Sequence, residues 1–211
     1  METTTTDHVA LLRQAVEEGI SYAQYRQTGE ELLAARRSSP ADAKEASEKM
    51  LDYTRLNLQR MNRLDKTIQL NEQMLAAIEH VQRKLQFVLI SEVWCGDAAQ
   101  NVPIIAKVAA QSAGKISLHI VWRDLNLPLI DAYLTRGGRA IPKLIVVDAA
   151  TGQPLATWGA RPAASQVLVD EYKANPNGRT FDEFAAELHA WYTQDRCVNL
   201  QTELCELLAS L

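Results

Sequence analysis

Trp94-Cys95-Gly96-Asp97 stands where an apolar run gives way to residues with helical spacing. A cysteine at such a junction lies against the first turn of a helix. The unpaired N–H groups there carry partial positive charge and stabilise a thiolate. The thiolate is the species that attacks disulfides, so Cys95 is the candidate nucleophile. A free cysteine is also a small apolar side chain that packs well, and position alone does not separate the two. Asp97 draws on the same helix dipole and sets negative charge beside the sulfur, which raises the thiol pKa.

Other reactive residue types are scattered. His8, His80, His119 and His189 show no metal-ligand spacing, so neither a metal nor a cofactor is expected. Glu92, Asp97 and Asp124 could gather as carboxylates, but Asp124 follows a strand end, where acids cap the next helix. Arg55, Arg60, Arg63 and Lys66 crowd one helix, the pattern of a solvated basic face. Arg136, Arg139 and Lys143 bracket Ile141-Pro142, where they could lower a thiol pKa or hold an anionic substrate such as a small acidic thiol. Cys197 and Cys205 lie eight positions apart, roughly two helical turns, and nothing brings them to Cys95; packing is their expected role.

Composition narrows the classes. A net charge of −4 gives no reason to expect nucleic acid or an anionic membrane as partner. No apolar run is long enough to cross a bilayer. The start METTTTDHVALLRQ has no basic segment followed by an apolar stretch, so no secretion signal is expected. Three cysteines in such a chain argue against a disulfide framework, and the cytoplasm is the expected location.

The elements that must position Cys95 divide into two parts. Up to about residue 83 the spacing is helical: Val9 to Val16, then Ser21 to Arg37, then a helix restarted by Ser39 as cap and Pro40 at its first position and running to about Leu64. Its apolar stripe of Met50, Tyr53, Met61 and Leu64 is interrupted by Asn57, and Asn71 caps a fourth helix. From Leu85 the order is strand, helix, strand, helix, strand, strand, helix. Phe87 to Ile90 and Leu144 to Val147 are continuous apolar runs, as strands covered on both faces require. Leu127 to Thr135 reads as a helix ending at Gly137-Gly138. Thr180-Phe181-Asp182-Glu183 is a capping box, and a last helix spans Val198 to Leu208. A βαβ start with a ββα end implies an α/β mixed sheet with helices on both faces.

Four features in register resemble the thioredoxin-like superfamily. Trp94-Cys95-Gly96 looks like the start of its Trp-Cys-Gly-Pro-Cys motif, and Pro103 falls where its active-site helix carries a proline. Ile141-Pro142 precedes the next buried strand as the family's cis-proline does, and Gly159-Ala160 matches the glycine loop. The string Trp-Cys-Gly-Asp-Ala, with Gly137-Gly138-Arg139 and Trp158-Gly159, is similar to a bacterial subfamily with one cysteine and an N-terminal helical extension. The resemblance implies a helical extension at 1–83, a thioredoxin-like core at 84–176 and C-terminal helices at 177–211 packed on it.

The resemblance also implies roles. Cys95 and Asp97 would be the catalytic pair. Trp94, Gly96, Ile141, Pro142, Gly159 and Arg139 would form the substrate site, with the Ile141 N–H and C=O free to pair with an extended peptide. Ala98 replaces the second cysteine, which excludes the dithiol cycle, and Leu89 stands where the family has a buried acid. Two functions follow, the first preferred and the second its alternative. One is a monothiol redox protein in which Cys95 forms mixed disulfides with a protein or a low-molecular-weight thiol. The other is a non-catalytic binding module that uses the cis-proline groove for a peptide or partner, its N-terminal helices serving as an interaction or homodimer surface.

Overall fold

Phe87, Val88, Leu89 and Ile90 have no solvent-exposed surface, and they form the middle of β1 (Leu85–Ser91) at the centre of a four-stranded sheet. The structure is a computed structural model and describes residues 2–211. β1 pairs in parallel with β2 (Ile116–Trp122), Leu85 opposite Ile116 and Ser91 opposite Trp122. On its other side it pairs antiparallel with β3 (Lys143–Asp148), which pairs antiparallel with β4 (Pro154–Gly159). The sheet order is therefore β2-β1-β3-β4, and the fold is α/β and thioredoxin-like.

The parallel pair needs a crossover, which α5 (Gly96–Gln111) supplies. Almost all of its first fourteen residues are buried, because one side faces the sheet and another faces α3 (Glu48–Thr67). The remaining N-terminal helices are α1 (Glu2–Glu18), α2 (Tyr22–Ala34) and α4 (Glu72–His80). Leu12, Tyr25, Met61 and Met74, one from each of α1 to α4, share a single core with the strands, so these helices close the sheet rather than trail from it. Between α1 and α2, Ile20 exchanges two backbone hydrogen bonds of 2.9 Å with Ile120 and covers the free edge of β2.

Two boundaries differ from the sequence expectation. The third helix begins at Glu48, capped by the Ser47 hydroxyl, and not at Pro40. Ser38 and Ser39 instead direct both backbone N–H groups at the Asp42 carboxylate (2.8 and 2.9 Å), which folds residues 38–42 into a turn. The helix after β2, α6 (Leu127–Ala132), ends before Thr135 because Thr135 and Gly138 bond each other's backbone. Past the sheet come α7 (Ala163–Ala174), α8 (Phe181–Asp195) and α9 (Val198–Ala209). Thr180 and Glu183 form the expected capping box of α8. α7 and α8 hold their own small core, in which Tyr172 stacks on Phe184 at 4.1 Å. No helix among the described residues is long and apolar enough to cross a membrane.

Candidate functional site

β1 ends at Ser91, and the chain turns through Glu92, Val93 and Trp94 to place Cys95 as the N-cap of α5. Only 8% of Cys95 is exposed. Its Sγ donates a hydrogen bond to the Ile141 carbonyl at 3.3 Å, a bond that only the protonated thiol can make. Burial, then the negative charge of Asp97, pushes the thiol up to about 12. The N–H groups of Ala98 and Asp97 and the Arg161 guanidinium pull the other way and lose. The helix terminus favours a thiolate here, as the sequence suggests, but burial outweighs it.

Asp97 is buried at the first turn of α5, and its carboxylate is held by the C-terminal part of the chain. Arg161 directs two nitrogens at its Oδ2 (3.0 and 2.5 Å), and the Tyr192 hydroxyl donates to Oδ1 at 2.7 Å. Asn101, one turn along α5, donates to the Asp97 carbonyl (2.8 Å) and to the Tyr192 oxygen (3.1 Å). A carboxylate here ties α5 to α8 and to the segment that leaves β4. Ala98 puts a methyl where a second thiol would be, and it is fully buried. Cys197 lies in the core and Cys205 Sγ rests 3.8 Å from Met74 Sδ, so both pack as expected. All three cysteines are free.

A cleft of about 470 Å³ opens beside Cys95, walled by α3 and α8. Met50, Tyr53 and Leu56 come from α3; Phe181, Ala185 and Ala186 come from α8; Trp94, Cys95 and Gly96 form the floor. Asn57, the polar break in the α3 stripe, donates to the Val93 carbonyl at 3.2 Å and fixes that floor to α3. His189 lines the cleft with Gln100 at 3.1 Å behind it; burial first, then Arg60, holds its imidazole at about 4, so it is neutral near pH 7. Across the mouth, Lys49 and Tyr53 of α3 both bond Asp182 of α8, the phenol at 2.8 Å. No cluster of three or more potential metal ligands occurs among the described residues.

The sequence model of the family described as thioredoxin matches residues 43–173, more than half of the chain. The chain belongs to the thioredoxin family. Solved structures with the same fold include an HIV epitope scaffold (TM-score 0.58, 14% identity, 94% of this chain and 98% of that one). Another is a protein of unknown function from Pseudomonas aeruginosa (TM-score 0.59, 13% identity, 92% of this chain and 95% of that one). Both cover nearly the full length, so the flanking helices belong to the shared fold along with the sheet. No curated protein matches.

The expected site residues are divided between the cleft, the interior and a second depression. The Ile141–Pro142 bond is cis, but both residues are buried and neither lines the cleft. The Ile141 carbonyl, expected to be free for a peptide, is already taken by Cys95. Arg139 is half-exposed and held by Asp131 through two bonds of 2.6 and 2.7 Å, and Arg136 pairs with Asp170, so neither reaches the thiol. Gly159 borders a separate, shallow depression with Lys143 and Arg161. Trp94 and Gly96 do line the cleft beside Cys95. Arg60, read from sequence as part of a solvated face, is half-buried and turns into the cleft instead. Arg161, Tyr192 and His189 carried no signal: each comes from a C-terminal element whose docking on α5 only the fold reveals.

Leu89 is fully buried and apolar, so the site has no acid at the thioredoxin position. A second buried acid besides Asp97 is Glu92, just past the end of β1, which accepts the Asp124 backbone N–H at 3.0 Å. Asp124 thus serves Glu92 through its backbone while its carboxylate pairs with Arg123; Asp97 stands apart from both. Burial raises the Glu92 carboxyl from 4.5 to about 7, with the Asp124 N–H and the Ser39 hydroxyl opposing the shift. An acid whose folded pKa is the higher one stabilises the native state fully below its unfolded value, and that contribution is lost as pH rises through about 7. Wild type should therefore lose on the order of 3 kcal/mol relative to Glu92→Gln between about pH 4.5 and pH 8. Urea denaturation of both proteins across that range checks this; parallel pH profiles would contradict it.

Proposed function

We propose that this thioredoxin-family chain is a non-catalytic binding protein, with the cleft between α3 and α8 as its site and Cys95 as part of the floor. The state of the thiol carries the reading. Cys95 is buried and donates its S–H to the Ile141 carbonyl, and burial with the Asp97 charge pushes the thiol well above the free value, so it is protonated near pH 7. The nucleophile that monothiol exchange requires is therefore suppressed. A resolving thiol is lacking too, since Ala98 occupies its place and Cys197 and Cys205 pack elsewhere.

Cys95 does line the cleft, so a small disulfide entering it would lie beside this residue; this is the observation in favour of monothiol exchange. Alkylation by iodoacetamide as a function of pH separates the two. Cys95 should stay unmodified below about pH 10 in the folded protein, while half-exposed Cys205 reacts first and serves as the internal control. An alkylation midpoint at Cys95 below about 8.5, the free-thiol value, or its accumulation as a mixed disulfide with glutathione, would establish the monothiol reading instead.

A further inference from the structure

We infer that the cleft takes a small carboxylate with an apolar body, its acid group on Arg60 and its tail against α3 and α8. The inference rests on the cleft being the binding site. Its walls are mostly hydrocarbon and aromatic, and two of them remain open at the mouth in the free protein: Leu56 is 43% exposed and Phe181 56%. Apolar side chains left in water beside a cavity gain most from a ligand that is itself apolar. A volume of about 470 Å³ suits a molecule of some ten to twenty heavy atoms, well below a folded partner.

The charge of the ligand follows from an inventory of the lining. Asp97 is paired with Arg161 and accepts from Tyr192, and Asp182 is paired with Lys49 and accepts from Tyr53. His189 is neutral. Arg60 remains: it donates to the Asn57 amide oxygen at 2.7 Å and has no carboxylate partner among the described residues. A half-buried guanidinium with no counter-charge, on an otherwise apolar wall, is satisfied by an anionic oxygen. The planar fork of Arg favours a carboxylate that can take two of its N–H groups at once. Asn57 holds Arg60 in place and also holds the floor of the cleft, so acid group and sulfur are set against one scaffold.

Isothermal titration with octanoate and octanamide, which share tail length and differ in charge, tests this on the full chain near pH 7. Octanoate should bind about tenfold or more tightly than octanamide, the usual worth of a charge-assisted bond. Arg60→Gln, with one side-chain bond to lose, should remove that preference by bringing octanoate down to the affinity of octanamide. Ala186→Trp, which fills the cleft, should abolish binding of both. Equal affinities in wild type, with both lost in Ala186→Trp, would overturn the carboxylate assignment and leave the cleft as an apolar site. Binding that survives Ala186→Trp, or no binding of either probe, would overturn the cleft as the site and this inference with it.

Discussion

Asp97→Ala is expected to destabilise the protein by about 4 kcal/mol, because it strands a buried guanidinium. Only 16% of the Arg161 side chain is exposed, and two of its nitrogens converge on one Asp97 oxygen, the third nitrogen going to Gln166 at 2.7 Å. Without the carboxylate the charge stays buried, and the Tyr192 hydroxyl loses its acceptor in the same step. Removing one member of a buried pair costs more than the pair is worth, so Arg161→Met on top of Asp97→Ala should recover much of the loss. Urea denaturation of the two variants measures both. A loss below about 1 kcal/mol for Asp97→Ala would place the pair among surface ion pairs. In that event the network would not be what clamps α5 to α8.

The same residue governs the thiol, but as the second cause and not the first. Asp97→Asn keeps an oxygen for Tyr192 and removes the charge beside Cys95, so the thiol pKa should fall while burial still holds it above the free value. The sequence gives the sign of this effect from the helix position alone. It cannot give the size, because burial of Cys95 depends on α8 and on the loop before β3 closing over it.

That division recurs through the molecule. β1 and β3 are legible because they are covered on both faces and so read as unbroken apolar runs; the capping box of α8 is legible because its partners lie three residues apart. Pro40 misleads for a local reason of the same kind. Ser39-Pro40 has the form of a helix start, yet the Asp42 carboxylate captures the N–H groups of residues 38 and 39 first. The candidate site is legible only in its floor, Trp94 to Gly96. Its walls come from α3 and α8, more than a hundred residues apart in sequence, and their contact runs through Lys49, Tyr53 and Asp182. Arg60 shows the limit: four other cations share its helix, and only the position of α8 decides that this one faces a cavity.

Gly159→Ala is expected to cost about 4 kcal/mol, through two effects at one atom. Gly159 has φ +133°, a region that side-chain-bearing residues enter only with strain. A Cβ there would also stand 2.2 Å from the Pro142 carbonyl oxygen and 3.2 Å from Lys143 Cα, both backbone, so no rotamer relieves it. Strain of about 2 kcal/mol and overpacking of similar size add to the total. Gly152→Ala is the control: φ is +72°, but the nearest atom is a Val9 methyl at 3.7 Å, so only the conformational cost of about 1 kcal/mol applies. Equal losses in the two variants would show that close approach at Pro142 is not the constraint. The consequence reaches the sulfur, because the pressure from Gly159→Ala falls on the backbone next to Ile141, whose carbonyl accepts the Cys95 thiol. Any Gly159→Ala protein that still folds should alkylate at Cys95 faster than wild type at the same pH, whereas Gly152→Ala should not. The glycine that closes β4 against the loop before β3 would then be part of what keeps the thiol protonated.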